Sequence, residues 1–169
     1  MADLTLILGG ARSGKSARAL AIAPPPHVFI ATGEALDGEM AERIRLHQAE
    51  RDPSWTLVEA PLDLAAAIQD AAAPDCALVI DCLTLWLSNL MHHQRDPDAE
   101  TRTFLVAAQK APGQIICVSN EIGLGLAPME SLSRRFRDAQ GRLNQRVAAQ
   151  ATRVEFVAAG LPLTLKDMP

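Results

Sequence analysis

The chain is 169 residues long, 49% apolar and 4% aromatic, and its 16 lysines and arginines against 20 aspartates and glutamates leave a net charge of −4. That length and apolar fraction predict one domain over residues 1–169 with a substantial core, and the acidic balance excludes a general nucleic-acid binder, which needs a basic footprint. No apolar stretch approaches the roughly 20 residues of a membrane span, and the N-terminus runs straight into a strand-like segment without the charged and apolar parts of a leader, so a cytoplasmic protein is expected.

Residues 4–8 form a short apolar run with the look of a buried first strand, and residues 16–22 can begin a helix. Between them Gly9, Gly10, Ala11, Arg12, Ser13, Gly14, Lys15 and Ser16 fit the phosphate-loop pattern G-x-x-x-x-G-K-[ST] without mismatch. A strand that delivers such a loop to a helix N-terminus presents free N–H groups and the positive end of the helix dipole to phosphate oxygens. Lys15 then neutralises the β- and γ-phosphates and the Ser16 hydroxyl joins a Mg²⁺ shell, which implies a nucleoside triphosphate ligand.

Pro24, Pro25 and Pro26 stop the first helix by removing backbone donors, and residues 27–31 read as the second strand. A helix is expected over residues 38–51, with Met40, Ile44 and His47 on one side and Arg51 adjoining. His47 has two readings at this point: a core histidine with its hydrogen bonds satisfied, or a neutral imidazole nucleophile that attacks phosphorus. Arg43, Arg45 and Arg51 are cations that could steady phosphate charge.

Residues 55–58 form a weaker strand candidate, residues 63–72 a helix, and residues 77–80 a strand ending in the carboxylate of Asp81. In phosphate-loop proteins an acid at the C-terminal end of a neighbouring strand completes the Mg²⁺ shell, so Asp81 is the second metal candidate beside Ser16. Helices follow over residues 83–92 and 99–110, separated by an exposed connection at 92–97, and residues 114–119 form the next strand. The glycine-rich stretch 121–130 lies where open α/β sheets bind ligands and is a candidate for shaping a second substrate site. In the helix over residues 131–151, Leu132, Phe136, Ala139, Leu143 and Val147 make the packing stripe, and Arg134, Arg135, Arg137, Arg142 and Arg146 lie outside it. Residues 154–158 and 161–165 close the pattern, the last as an antiparallel edge hairpin after Gly160. Cys76, Cys82 and Cys117 are odd in number, widely spaced and embedded in apolar runs, which reads as buried free thiols. The alternation of short apolar strands and helices predicts an α/β fold with a mostly parallel central sheet flanked by helices.

Several segments together narrow the reading: Gly9 to Ser16, Ile30-Ala-Thr32, Glu42-Arg-Ile-Arg-Leu-His47, Trp55-Thr-Leu-Val-Glu59, Asp81-Cys-Leu-Thr-Leu-Trp-Leu-Ser-Asn89, Ser119-Asn-Glu-Ile-Gly-Leu-Gly125, and Arg134 to Asp138 with Gly141 to Gln145. In this order they resemble, over nearly the whole chain, the bifunctional adenosylcobinamide kinase/adenosylcobinamide-phosphate guanylyltransferases of cobalamin biosynthesis. The resemblance implies a phosphate-loop NTPase-like (RecA-like) three-layer fold. It further implies Mg²⁺, GTP or ATP as co-substrate, adenosylcobinamide and its phosphate as acceptors, and a homo-oligomer with the trimer as candidate state.

Carried over residue by residue, the resemblance makes His47 the covalent acceptor of GMP and Lys15 its catalytic partner on the triphosphate. It places Ala31, Thr32 and Gly33 with Gln48, Ala49, Glu50 and Arg51 beside the guanine nucleotide, and Glu59 and Asp81 as further nucleotide or metal contacts. Relatives often carry two basic residues just after the histidine helix; here the first is the acidic Glu50, so Arg51 is the better phosphate candidate. Two alternatives stand beside this reading: a kinase of another small metabolite, and a non-enzymatic nucleotide-gated switch, which explains the phosphate loop and gives no reason for the histidine helix.

Overall fold

The computed structural model describes residues 3–34, 38 and 54–168. In chain order the elements are β1 (Asp3–Gly9), α1 (Lys15–Ile22), β2 (His27–Ala31), β3 (Thr56–Glu59), α2 (Leu64–Ala71), β4 (Ala77–Asp81), α3 (Leu83–His92), α4 (Pro97–Lys110), β5 (Gln114–Asn120), α5 (Ser131–Gln150), β6 (Arg153–Ala158) and β7 (Leu161–Asp167). The helix expected over residues 38–51 lies, except for Gly38, outside the described residues. The seven strands form one sheet in the order β3-β2-β4-β5-β1-β6-β7, parallel except for β7, which returns antiparallel to β6. The return is made by Ala159 and Gly160 with φ of 52° and 77°, the left-handed pair that a two-residue hairpin turn requires.

Alternation along the strands sorts the core onto two faces. Leu4, Leu6, Ile30, Leu78, Ile80, Ile115 and Cys117 pack under α2–α5, whereas Ile7, Phe29, Ala77, Val79, Ile116 and Val118 pack with Ala19 and Ala23 from the α1 side. Strands covered on both faces explain the near-continuous apolar runs in the sequence. Cys82 and Cys117 are buried free thiols as expected, and Cys76 is half-buried. Burial pushes the Cys82 thiol up to about 11 and raises that of Cys117 further.

Three expectations shift. The fourth helix begins at Pro97 rather than residue 99: Asp96 caps it by accepting from Asp98 N–H at 2.9 Å, and proline suits a first helical turn whose N–H has no partner. Leu132, expected in the packing stripe of α5, is half exposed, and burial on that helix starts at Ala139. The helix has 20 residues, roughly 30 Å, and so overshoots strands of only five to seven residues. Finally, β4 is not the immediate neighbour of β1, because β5 lies between them.

Candidate active site

The parallel strands bring Gly9, Ala31, Glu59, Asp81 and Asn120 to one edge of the sheet. Gly9 pairs with Asn120, Asp81 with Val118, and Ala31 with both Asp81 and Glu59. From β1 the chain turns through Gly10 to Ser13 and enters α1 at Lys15. Gly14 sits at the helix N-cap with φ 100°, a left-handed conformation that glycine adopts without cost, and no side chain among the described residues caps the helix. The first-turn N–H groups of α1 are therefore left for a ligand. A side chain on Gly9 would strike the Val157 carbonyl and the Ser13 hydroxyl. The β6–β7 turn backs the loop, with Gly160 N–H donating to Ser13 O at 2.8 Å.

Lys15 is only 7% exposed. Its ammonium donates to the Gly10 carbonyl and, at 3.5 Å, to the Ser13 hydroxyl. Burial lowers its pKa, an effect opposed by negative charge at Cys82 and Asp81. Cys82 is a neutral thiol near pH 7, so Asp81 is the group that acts on Lys15 under ordinary conditions. Asp81 and Lys15 thus share the α1 face of the sheet, Asp81 by the same alternation that puts Ala77 and Val79 there. Asp81 is half-buried, and Ser16 is half-buried in the first turn of α1. One carboxylate and one hydroxyl beside a phosphate site fit Mg²⁺, which binds through few protein oxygens and completes its octahedron with phosphate and water. Among the described residues no group of three or more His, Cys, Asp or Glu side chains could hold a metal alone.

Thr32 is fully buried, with its hydroxyl donating to Cys82 O at 2.7 Å and accepting from Cys82 N–H at 2.9 Å. The hydroxyl is committed to joining the ends of β2 and β4, across a cis Asp81–Cys82 peptide. Asn89 donates to Thr32 O at 2.7 Å and Pro61 O at 2.9 Å, and Trp86 donates to Leu62 O at 2.8 Å. The Leu-Trp-Leu-Ser-Asn run therefore locks α3 to the chain ends that leave β2 and β3. Ala31 and Gly33 are half-buried beside Thr32, and Glu59 is exposed at the tip of β3. Glu59 stands four strand spacings from Gly9, roughly 19 Å, out of reach of the phosphates that Lys15 serves. His47, Gln48, Ala49, Glu50 and Arg51 lie outside the described residues.

Five polar residues absent from the expected site stand at its back, Thr84, Ser119, Asn120, Gln140 and Asn144. Asn120 N–H donates to Thr84 Oγ1 at 2.9 Å, and Asn120 O accepts from Asn144 Nδ2 at 3.0 Å. Asn144 Oδ1 accepts from Ser119 Oγ at 2.7 Å and Gln140 Nε2 at 2.9 Å. The sequence signal was a polar pair closing an apolar strand ahead of the glycine-rich stretch, with Asn and Gln inside the helix that follows. The stretch itself, residues 121–130, begins beside the phosphate loop, where Glu121 N–H donates to Gly9 O at 3.0 Å, and it exposes Leu124, Leu126 and Met129.

Residues 5–165 match the model of the family described as cobinamide kinase / cobinamide phosphate guanyltransferase. The chain is 47% identical over 170 residues to the bifunctional adenosylcobalamin biosynthesis protein CobP of Pseudomonas aeruginosa, covering 97% of this chain and 98% of that one. It is 37% identical over 180 residues to the bifunctional adenosylcobalamin biosynthesis protein CobU of Salmonella typhimurium, covering 96% and 99%. Among solved structures, the flagellar accessory protein FlaH of Methanocaldococcus jannaschii superposes with a TM-score of 0.51 at 13% identity, over 98% of this chain and 79% of that one. A Pyrococcus horikoshii protein studied as PH0250 gives 0.58 at 6% identity, over 99% and 87%. At such identities the likeness is one of fold alone, a phosphate-loop NTPase-like α/β architecture.

Proposed function

The chain belongs to the cobinamide kinase/cobinamide phosphate guanylyltransferase family, and from that premise we propose that it performs both reactions on adenosylcobinamide at the sheet edge built by β1, β4 and β5. In the first, the hydroxyl of the aminopropanol arm attacks the γ-phosphorus of GTP or ATP. A P–O bond forms to the acceptor, the bond to the bridging oxygen breaks, its electrons leave with the nucleoside diphosphate, and the hydroxyl proton passes to water. In the second, an imidazole nitrogen of His47 attacks the α-phosphorus of GTP and pyrophosphate leaves. The phosphate of adenosylcobinamide phosphate then displaces the imidazole, giving adenosylcobinamide-GDP.

The observation that carries this reading is the convergence of Lys15, Asp81 and the uncapped start of α1 on one face of the sheet. Lys15 holds triphosphate charge as it develops, in a site where burial makes that attraction strong. Ser16 and Asp81 would hold Mg²⁺, which supplies charge neutralisation on the phosphates when bound. Gln48 to Arg51, Ala31 and Gly33 contact the nucleotide in this reading, and Thr32 positions the strand ends that carry Asp81. The enzyme is a cytoplasmic homo-oligomer with the trimer as the state to test.

His47→Ala separates the two half-reactions. Phosphoryl transfer to a hydroxyl needs no covalent enzyme intermediate, whereas guanylyl transfer through histidine needs the imidazole. With adenosylcobinamide and [α-³²P]GTP, the wild type should acquire a label that acid removes and alkali spares. The variant should make adenosylcobinamide phosphate, take no label and form no adenosylcobinamide-GDP. A labelled His47→Ala protein, or one forming product at the wild-type rate, overturns the role of His47.

A further inference from the structure

β5 is the strand between the one that carries the phosphate loop and the one that carries Asp81, and its last residue is Asn120. Ile116 and Val118 pack on the α1 face, and Ser119 bonds to Asn144 and Gln140 on the other. Alternation therefore sends the Asn120 side chain out on the α1 face, the face of Lys15 and Asp81. Asn120 is in register with Gly9, one strand spacing of about 4.8 Å away. It stands two residues beyond Val118, the partner of Asp81, and so reaches roughly 6.6 Å further along the strand axis.

The main chain at this position is held on both sides, by Thr84 at the N–H and by Asn144 at the carbonyl. Asn144 is in turn fixed by Ser119 and Gln140, all three buried. By contrast the half-buried side-chain amide of Asn120 has no hydrogen-bond partner among the described residues. A rigid strand end thus presents an open, neutral donor on the face where the triphosphate lies. Charge would be wrong there: a carboxylate would repel phosphate, and a lysine would pair with Asp81.

Resting on the phosphoryl-transfer reading above, we propose that Asn120 Nδ2 donates a hydrogen bond to a γ-phosphoryl oxygen of the bound nucleotide. Asn120 then touches the group being transferred and lets the site tell a triphosphate from a diphosphate.

Nucleotide binding to the full chain by titration calorimetry, with GTP, GDP, ATP and ADP, tests this without any corrinoid. Asn120→Ala should weaken triphosphate binding about tenfold and leave diphosphate binding unchanged, as expected for one hydrogen bond to a charged group. Asn120→Asp keeps the shape of the side chain and should weaken triphosphate binding more, again sparing the diphosphate. Equal losses for triphosphate and diphosphate in both variants would show a structural role only, and unchanged triphosphate binding in Asn120→Asp would remove Asn120 from the phosphates; either overturns the proposal. The kinase reading fails separately, through a wild type that does not phosphorylate adenosylcobinamide, whatever the affinity ratios.

Discussion

Ser119 and Asn120 are adjacent on one strand, yet they meet opposite demands. On the α5 side, Ser119, Gln140 and Asn144 are buried and spend their hydrogen bonds on one another and on the Asn120 carbonyl, apart from Gln140 Oε1, which has no partner among the described residues. On the α1 side, Lys15, Asp81 and Asn120 keep charge and donors directed at the sheet edge. A polar group satisfied inside the protein braces the fold, since breaking its network leaves buried partners unmet at about 1–3 kcal/mol each. A polar group left open beside a helix N-terminus is capacity held for a ligand. One strand tip carries both kinds because successive side chains point to opposite faces.

Lys15→Ala should break the open side most severely. Removing a positioned, buried donor to developing phosphate charge costs roughly a hundred- to a thousandfold in kcat. Both adenosylcobinamide phosphate formation and guanylylation should fall by that order while the melting temperature moves little, because a desolvated ammonium contributes little to stability. Normal turnover of GTP in this variant would remove the phosphate loop from the reaction.

Asn144→Ala tests the braced side. It removes the Asn144 bonds to Ser119, Gln140 and the Asn120 carbonyl, while Gln140 still donates to Ser119 at 2.9 Å, so stability should drop by about 2–3 kcal/mol, seen as a melting temperature lower by roughly 5–10 °C. At temperatures well below melting, the GTP-over-GDP preference should shift less than in Asn120→Ala. A larger shift would mean that the two faces do not divide the work.

Glu155→Gln sharpens the comparison from a third position, the contact that ties α1 to β6. The Glu155 carboxylate is 1% exposed and takes two bonds from Arg18, at 2.8 and 2.9 Å, and one from Arg153 at 2.9 Å. The Arg18 hydrogen bonds outweigh desolvation and, helped by Arg153, hold its pKa below the ordinary carboxylate value. A lowered folded pKa contributes stability that is present above the unfolded value, near 4.3, and lost as pH falls through the folded one. The variant should therefore melt lower than wild type at pH 6–8 by an amount equivalent to about 1–2 kcal/mol, both arginines being part-exposed, and the gap should close below about pH 4. A gap independent of pH would assign the loss to packing.

Much of the frame was legible in the chain. All seven strands lie within two residues of their expected ends, since each is an apolar run cut by proline, glycine or a charge, and the antiparallel return followed from Gly160. The register that gathers Gly9, Ala31, Glu59 and Asp81 on one edge follows from a parallel sheet. Leu132 misled because periodicity reports a face of a helix and says nothing of where the sheet beneath it ends. Asp81 was placed one strand too near the phosphate loop, because the order of strands is not written in their individual patterns.

The sequence by itself determined the phosphate loop and its strand–loop–helix frame, because their requirements are local: glycine where the backbone turns left-handed or packs against a carbonyl, lysine at the first helical residue, apolar residues before and after. Only the tertiary structure decided which strand stands between the loop and Asp81, and therefore that Asn120 lies beside Gly9. The clamp on that residue comes from Thr84 and Asn144, 36 and 24 residues away in the chain, and contacts at such separation are set by how helices dock on a sheet rather than by any short pattern of residue types.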